Sequence, residues 1–502
     1  MAQTFFEDLE TAMYPSALLH TFGVNGKVSG SVGAIGEMSQ DVAAVIHGAS
    51  GCGFHYRYSA RRRHQPFYRL FCSDLTESEI IYGGTEKLYK TVKEVWKRYH
   101  PSMIMLIPTP VSDVLSEDIR SVSERLKKEG IFTVGIQSEL FSHRDKNYAK
   151  DRLRKLAAQK ITGDNRLETE LKGCGFTEAL YALVEQVMEP QEIIPRSVNI
   201  ETVGWGSEGT LILREVEAFL GKCGVTVNCW IPSSSLEELI TAPRAELNLV
   251  KRIRWARRMK EKFGTDYIHL GGAGRYTGLS GIALFYQDIG EKLGILEEID
   301  PIIQQEIKDV QERTKEAKEK LGNYHCVLMS RGIQGVPFRI KLYAQEFGIH
   351  LTDVCLVLTP DMERDMDLTP ELLEQLMSRV SDAIELYSPG TQVHLNLSRP
   401  EMQEIFQKAD AVLDTSDVTL EGMGAPLVSG KLETTGVSFD SFERNLNRML
   451  AHLETAGEKK ELILGRMPFD TEYYPLLDNE EGRAAKEMWK RMWTNRKDKR
   501  GQ

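Results

Sequence analysis

Cysteine is scarce in this chain, with seven residues in 502. The number is odd and no two cysteines form a Cys-x-x-Cys pair, so a disulfide framework, a zinc ribbon and a thioredoxin-type site lack their usual sequence support. Such thiols are typical of a reducing compartment, and we expect a cytoplasmic protein. Four of them have apolar neighbours and are expected to be small buried hydrophobic residues: Cys223, Cys229, Cys326 and Cys355.

Long hydrophobic runs and excess positive charge are missing too. No segment approaches the roughly 18 uninterrupted apolar residues of a membrane span, and the N-terminus lacks the regions of a signal peptide, so we expect no membrane partner. The chain has 63 basic against 73 acidic residues, a formal net charge of −10. This balance argues against nucleic acid as the main partner.

Motifs for nucleotide and zinc are also missing. The sequence contains no Walker motif, and no His-x-x-His or His-Glu-x-x-His pair occurs. The glycine-rich stretch GGAGRYTGLSG at residues 271–281 fits neither GxGxxG nor the P-loop pattern. Nucleotide binding is therefore not expected there.

What the chain does have is an alternation of short apolar runs and amphipathic stretches, which predicts parallel sheets flanked by helices, an α/β fold. Three α/β units follow one another, at residues 1–195, 196–321 and 322–435. We expect residues 436–502 to form a helical segment that packs back on the other domains. Within the second unit, residues 245–263 are expected to form one long helix.

The densest local signal is IHGASGCGFHYRYSARRRHQPFYRLFCSDLTESEIIYGG at residues 46–84. A strand runs into Gly48, Gly51, Cys52 and Gly53, and such a turn places a cysteine beside exposed backbone N–H groups, which favours the thiolate. Cys52 is therefore the first candidate for a metal ligand or nucleophile. A purely structural cysteine is the alternative interpretation.

Dense positive charge follows the glycine turn. The basic residues there are Arg57, Arg61, Arg62, Arg63 and His64. This charge suits an anionic ligand or an acidic partner better than a core.

These motifs resemble the nitrogenase component 1 superfamily. HGASGCG, then Ser73 and Asp74 ahead of Glu77, then IIYGG, stand in the family's order and spacing. Further similar segments follow along the chain: PTPVSDVLSEDI at 108–119, VGIQSELF at 134–141, SLEELITAPRAELNLVKR at 235–252, typical of α-type subunits, and GMGAPL at 422–427. The resemblance covers roughly residues 30–450.

The resemblance implies an oxidoreductase with three Rossmann-like domains. It also implies a homodimer, or a heterotetramer with a second component-1-like subunit. An iron–sulfur cluster would lie at the subunit interface and receive electrons from a separate ATP-dependent reductase of the iron-protein type.

The resemblance also suggests cluster ligands. Cys52 matches the ligating cysteine of the glycine-rich turn, but Pro110 stands where nitrogenases place another, and no cysteine precedes Cys52, so the eight-iron P-cluster is not expected. Cys174, in KGCGFTEAL, lies where the family has a further residue near the cluster. Two cysteines per chain, paired across a twofold axis, would supply a 4Fe–4S cluster. A loop thiol is the alternative for Cys174, and Cys72 matches a position that is not usually a ligand.

The family's catalytic cofactor hangs from one cysteine and one histidine, and here Arg252 replaces the cysteine while Lys431 falls near the histidine. Neither ligates iron when charged, so an iron–molybdenum-type cofactor is not expected in the usual way. The corresponding cavity, with Arg252, Lys431 and Arg275, would suit a polyanion such as a carboxylate-bearing tetrapyrrole. For Arg252 the alternative is the solvated face of a basic helix.

Two functions are therefore open. The first is the catalytic subunit of a nitrogenase-like reductase, with its catalytic groups unidentified and its substrate an anionic tetrapyrrole or another small molecule. The second is a non-catalytic scaffold or carrier in metallocluster assembly. A degenerate subunit with only structural duties is a third interpretation.

Overall fold

The structure is a computed structural model that describes most of the chain. The described residues are 27–39, 41–62, 69–136, 175–202, 209–270, 275–333, 335–358, 369–415, 420, 423–428 and 437–456. The chain divides into two compact units. The first comprises Met1–Glu312, Thr359–Asp382 and Glu433–Phe442, and the second comprises Arg313–Leu358, Ala383–Leu432 and Glu443–Gln502.

The first unit contains two parallel sheets, and the first of them has the strand order β2-β1-β3-β4. Its elements are α1 (Lys27–Gly36), β1 (Val42–His47), α2 (Ser50–Arg62), β2 (Leu70–Cys72), α3 (Glu77–Tyr82), α4 (Thr85–Tyr99), β3 (Met103–Pro108), α5 (Pro110–Val114), α6 (Ile119–Lys128), β4 (Thr133–Gly135) and α7 (Gly175–Gln186).

Helices cover both faces of this sheet, which is why β1 and β3 read as continuous apolar runs. Successive residues of a strand point to opposite faces. Ala44 and Ile46 of β1 accordingly share a core with α1 and α7, whereas Ala43 and Val45 share one with α4 and α6. All four side chains are fully buried.

The second sheet has the order β6-β5-β7-β8, again all parallel. Its elements are β5 (Ile194–Glu201), α8 (Gly209–Lys222), β6 (Thr226–Ile231), α9 (Leu236–Ile240), a 3-10 turn (Ala242–Arg244), β7 (Ala245–Val250), α10 (Ile253–Phe263), β8 (Asp266–His269), α11 (Gly278–Leu293) and α12 (Leu296–Leu321).

The expected long helix over residues 245–263 is wrong. AELNLV forms the interior strand β7, and only the part from Ile253 to Phe263 is helical, ending at Gly264 in the left-handed region at φ +85°. Alanine, leucine and glutamate favour helices, but pairing with β5 and β8 outweighs that weak preference.

The third sheet lies in the second unit and has the order β11-β10-β9-β12-β13, also all parallel. Its strands and the neighbouring segments are β9 (His325–Arg331), α13 (Val336–Ile340), a π-helical segment (Lys341–Glu346), β10 (His350–Val357), α14 (Pro370–Tyr387), β11 (Gln392–Leu395), α15 (Arg399–Phe406), β12 (Ala411–Leu413), β13 (Leu427–Val428) and α16 (Phe439–Thr455).

The predicted α/β class, with parallel sheets flanked by helices, is confirmed. The limits assigned to the three Rossmann-like domains and to the segment 436–502 stay predictions. No helix within the described residues is long and apolar enough to cross a bilayer.

Strand order locates the places where such sheets bind ligands. In an open parallel sheet, ligands bind at the carboxyl ends of the strands where the order reverses direction. This point lies between β1 and β3 in the first sheet and between β5 and β7 in the second. We call residues 47–53, 72–74 and 108–112 the first rim, and residues 201–202 and 250–252 the second rim.

Candidate functional site

Cys52 lies on the first rim, as the third residue of α2. Its backbone N–H donates to the carbonyl oxygen of Ala49 at 3.0 Å, which closes the first turn of the helix. The Cys52 side chain is half-buried. A Cβ built on the neighbouring Gly51 would meet nothing within 4 Å. The backbone next to Cys52 therefore faces open space at the edge of the sheet, while the thiol itself is partly packed against the core.

Close packing at the reversal point requires glycine at Gly48. A Cβ on Gly48 would lie 2.7 Å from the Thr109 Cγ2 atom, closer than real contacts allow. The Thr109 hydroxyl donates to the His47 carbonyl oxygen at 2.8 Å. These contacts hold the ends of β1 and β3 together beneath the turn that carries Cys52.

A second thiol, Cys72 at the end of β2, lies on the same rim. Its S–H group is 3.3 Å from the carbonyl oxygens of both Gly48 and Ala49. Burial raises the pKa of this half-buried thiol, while the backbone N–H groups of Asp74 and Gly53 act in the opposite direction. The first rim thus presents two cysteines.

Beneath the thiols is a buried histidine. His47 Nδ1 is 2.9 Å from Ser73 Oγ, and its Nε2 lies 3.8 Å from Glu117 Oε2. The other Glu117 oxygen accepts from the Gly84 N–H at 2.5 Å. Burial holds the pKa of His47 below its usual value, although the charge of Glu117 opposes this effect. The imidazole is therefore neutral near pH 7.

Large apolar side chains are exposed on the helices that follow the strands of the first rim. Phe54 on α2 is 72% exposed, Ile81 and Tyr82 on α3 are 71% and 86% exposed, and Val114 on α5 is 60% exposed. Exposed groups of this kind are typical of surfaces that another protein covers.

The second rim is closed by an ion pair. Glu201, fully buried at the end of β5, accepts from the N–H groups of Lys251 and Arg252 at 3.0 and 3.1 Å and from Trp255 Nε1 at 2.9 Å. Its other oxygen pairs with the Arg252 guanidinium, which also lies 4.8 Å from the centre of the Phe176 ring. The carboxylate and the arginine compensate each other's charge.

Two arginines of α10 pair with carboxylates of α7. Arg254 pairs with the buried Glu178, and Arg258 pairs with Glu185. Arg252 itself precedes the helix as its N-cap. Its interpretation as part of a solvated helix face is therefore wrong, because the 245–250 segment is a strand and the arginine lies at that strand's end.

Arg275 likewise has a carboxylate partner. Its Nε and Nη2 atoms donate to the two oxygens of Asp288 at 2.9 and 2.7 Å, and the Tyr276 hydroxyl donates to the same carboxylate at 2.6 Å. The Arg275 side chain is only 7% exposed. Any anion that bound Arg275 would compete with Asp288.

Residues 28–412 match the family model of nitrogenase component 1 type oxidoreductases. The chain belongs to this family.

Several curated relatives are members of the same family. The chain is 27% identical over 305 residues to the nitrogenase iron-molybdenum cofactor biosynthesis protein NifE of Methanococcus maripaludis, covering 58% of this chain and 57% of the relative. It is 24% identical over 322 residues to the nitrogenase molybdenum-iron protein alpha chain of Clostridium pasteurianum, covering 61% and 53%. The matched region thus spans little more than half the length of these relatives.

A solved structure shows the same fold. The structure of nitrogenase Cp1 at pH 6.5 aligns with a TM-score of 0.54 at 17% identity, covering 88% of this chain and 90% of that one. The nitrogenase-like fold follows from this similarity.

Membership in the nitrogenase component 1 family gives the predicted site residues a common frame, and the structure brings only some of them together. Of the predicted residues, Cys52 lies on the first rim, whereas Arg252 and Arg275 lie elsewhere, each beside a carboxylate. Cys72, which matches a position that is not usually a ligand, also lies on the first rim. The remaining predicted positions lie outside the described part of the chain or have undescribed side chains: Cys174, Lys431, Arg61, Arg62, Arg63 and His64.

The four cysteines expected in the core are confirmed there. Burial raises the pKa of Cys223 to about 11 and those of Cys229, Cys326 and Cys355 to about 12. At neutral pH they are thiols, not thiolates, and pack as small apolar groups.

Sequence reasoning missed the acidic partners Glu201 and Asp288 and the buried His47. His47 carried a local signal, since it is the polar residue that ends an otherwise apolar strand. Glu201 ends a strand that already contains Arg196, Ser197 and Asn199, so its position gave no such signal. Asp288 carried none, because it lies within α11 and meets Arg275 and Tyr276 only in the folded chain.

Proposed function

We propose that this chain is the cluster-binding catalytic subunit of a nitrogenase-like reductase. An ATP-dependent iron-protein-type partner would deliver electrons, and a bound substrate would be reduced. The observation that carries this proposal is the half-buried Cys52, held by a glycine turn on the open side of the first rim. This is the place where an open parallel sheet binds ligands.

The donor set of the first rim fits an iron–sulfur cluster, since thiolates are the usual ligands of such clusters. Cys52 would hold it. The cluster supplies one-electron transfer at low potential. Within the described residues, no three His, Cys, Asp or Glu side chains are arranged around one metal ion. A complete ligand set would therefore need Cys174 or a second subunit, either a copy of this chain or a paralogue.

For the substrate, we propose an anion such as a carboxylate-bearing tetrapyrrole, held by Arg252 and Arg275. Support comes from the two described arginines, which are charged in an enclosed setting. Both arginines already pair with a carboxylate of the protein, Glu201 and Asp288 respectively. A substrate carboxylate would have to share these guanidinium groups with the protein's own carboxylates.

The relatives favour a second candidate, a scaffold or carrier in metallocluster assembly. Several curated matches, including one that covers 83% of this chain, are named cofactor biosynthesis proteins. A carrier would use the same rim thiol, but would release its cluster to an acceptor instead of relaying electrons.

Cluster binding is tested by anaerobic purification, iron and acid-labile sulfide analysis, and EPR of the dithionite-reduced protein. We expect about two irons per chain, one four-iron cluster shared by two chains, and loss of the signal in Cys52→Ala. Cys223→Ala, which removes a buried thiol, is the matched control and should keep its iron. Equal iron in wild type and Cys52→Ala would refute the proposal.

The two functions are separated by what happens to a loaded cluster. With a reduced ATP-dependent iron protein and MgATP, a reductase subunit oxidises its partner while its own iron content stays constant. A carrier instead loses iron to an apo acceptor protein, without needing MgATP. Iron transfer without electron transfer would reject the reductase function in favour of the carrier.

A further inference from the structure

We propose that Cys72 is a second cluster ligand of this chain, acting together with Cys52. This inference rests on the proposed function, because it concerns the same cluster. The family resemblance does not provide it, since the position of Cys72 is not usually a ligand. The argument comes from the placement of the two side chains on the first rim.

The first step is proximity. Cys72 lies against Gly53, the residue next to Cys52, so that a Cβ built on Gly53 would be 2.7 Å from the Cys72 Cβ and 3.2 Å from its sulfur. Adjacent Cα atoms are about 3.8 Å apart. Gly53 therefore allows the Cys72 side chain to lie directly beside the backbone that carries Cys52.

The second step is the surroundings of the Cys72 sulfur. The backbone N–H groups of Gly53 and Asp74 face it. Hydrogen bonds from the backbone to ligating sulfurs are a regular part of iron–sulfur sites. In the free thiol, the proton is directed to the carbonyl oxygens of Gly48 and Ala49. Cluster binding would release that proton, and the N–H groups would remain to stabilise the thiolate.

The third step is access. Cys52 and Cys72 are both half-buried, whereas the other four described cysteines are buried in cores. Within the described residues, these two are thus the cysteines that an external metal can reach. Two thiolates from each of two chains would complete the four of a shared 4Fe–4S cluster without any contribution from Cys174.

The test uses the full-length protein, prepared anaerobically without its cluster and titrated with Co²⁺, whose thiolate charge-transfer absorbance scales with the number of bound thiolates. We expect about a twofold lower absorbance per bound cobalt in Cys72→Ala, Cys72→Ser and Cys52→Ala than in the wild type. Cys72→Ser keeps a donor for the Gly48 and Ala49 carbonyls, and so separates a role in bracing the turn from metal ligation.

A glycine pair provides a test that removes no thiol. Gly53→Ala places a methyl group on the Cys72 side chain, whereas Gly51→Ala places one in open space. We expect iron in the reconstituted protein to fall at least about fivefold in Gly53→Ala and to be unchanged in Gly51→Ala. This comparison remains informative even if Cys72→Ala fails to fold.

The outcomes distinguish the two proposals. Loss of iron and cobalt absorbance in Cys52→Ala, with wild-type values in both Cys72 variants and in Gly53→Ala, would overturn the role of Cys72 and leave the proposed function standing. A wild-type protein that binds no iron alone or with a partner subunit would remove both. Loss in Cys72→Ala with wild-type values in Cys72→Ser would show that Cys72 only braces the turn, and would also overturn the inference.

Discussion

The first and second rims lie at the same point of the same strand order, but they carry different side chains. Each lies where an interior strand separates two parallel neighbours. On the first rim there are two half-buried thiols, with open space at Gly51 and close packing of Gly53 against Cys72. On the second, Glu201 at the end of β5 pairs with Arg252 at the end of β7 and closes the position.

The difference shows that topology provides the place for a ligand, whereas the residues just beyond the strand ends decide which kind of ligand suits that place. A buried carboxylate with four donors is already satisfied, so nothing on the second rim calls for a metal. On the first rim, the Cys72 thiol makes weak S–H contacts with carbonyl oxygens, which a metal can replace.

The largest expected effect on stability comes from removing the buried ion pair of the second rim. Glu201→Gln removes the carboxylate that compensates Arg252 in a buried site, and we expect a loss of about 3–5 kcal/mol in the free energy of unfolding, measured by denaturant titration. Glu124→Gln is the control, because the exposed Arg120–Glu124 pair is worth less than about 1 kcal/mol. Equal effects of the two variants would mean that burial does not set the strength of the rim pair.

A smaller effect is expected where the first rim closes on itself. In Gly48→Ala, the new methyl group meets the Thr109 side chain at 2.7–2.8 Å. We expect a loss of about 1–3 kcal/mol from overpacking, measured by thermal or denaturant unfolding. Gly51→Ala, in the exposed first turn of α2, should instead leave stability unchanged or raise it by about 0.5–1 kcal/mol. A neutral Gly48→Ala would contradict the close approach of β1 and β3.

The buried histidine gives the first rim a pH dependence. Burial holds the pKa of His47 below its usual value, so the unfolded chain takes up a proton below about pH 6.5 while the folded chain does not. The resulting stability is present above that pH and is lost as the pH falls, by up to about 1.4 kcal/mol per pH unit.

The variant His47→Gln should therefore show a flatter fall in unfolding free energy between pH 7 and pH 5 than the wild type. His100→Asn, at an exposed helix end, is the control and should keep the wild-type slope. An unchanged slope in His47→Gln would show that the imidazole is protonated in the folded chain as readily as in the unfolded one.

The smallest expected loss of stability comes from the Arg258–Glu185 ion pair, beside the second rim. Arg258 and Glu185 are 35% and 29% exposed, so solvent screens their pair, and we expect Arg258→Gln to cost up to about 1 kcal/mol. Arg254→Gln should cost more, because its partner Glu178 is only 4% exposed. Denaturant titration of both variants measures the difference, and a larger loss in Arg258→Gln would reverse the expected ranking.

The sequence predicted the elements of the first sheet well because their signals are local. The apolar run 42–46 and the glycines around Cys52 identify a buried strand and a turn without reference to the rest of the chain. The prediction of one helix over residues 245–263 was wrong for the opposite reason. The helix-favouring residues 245–250 of this segment form a strand because β5 and β8 lie on either side.

The sequence alone determined the α/β class, the family resemblance and the choice of Cys52, since periodicity, turn residues and motif order are written along the chain. Only the tertiary structure decided that Cys72 lies beside Gly53 and that Arg252 is compensated by Glu201. Each of these pairs joins residues separated by many positions, and which residues meet depends on which strands become neighbours. That choice is made by the packing of whole elements, and no local pattern of residues records it.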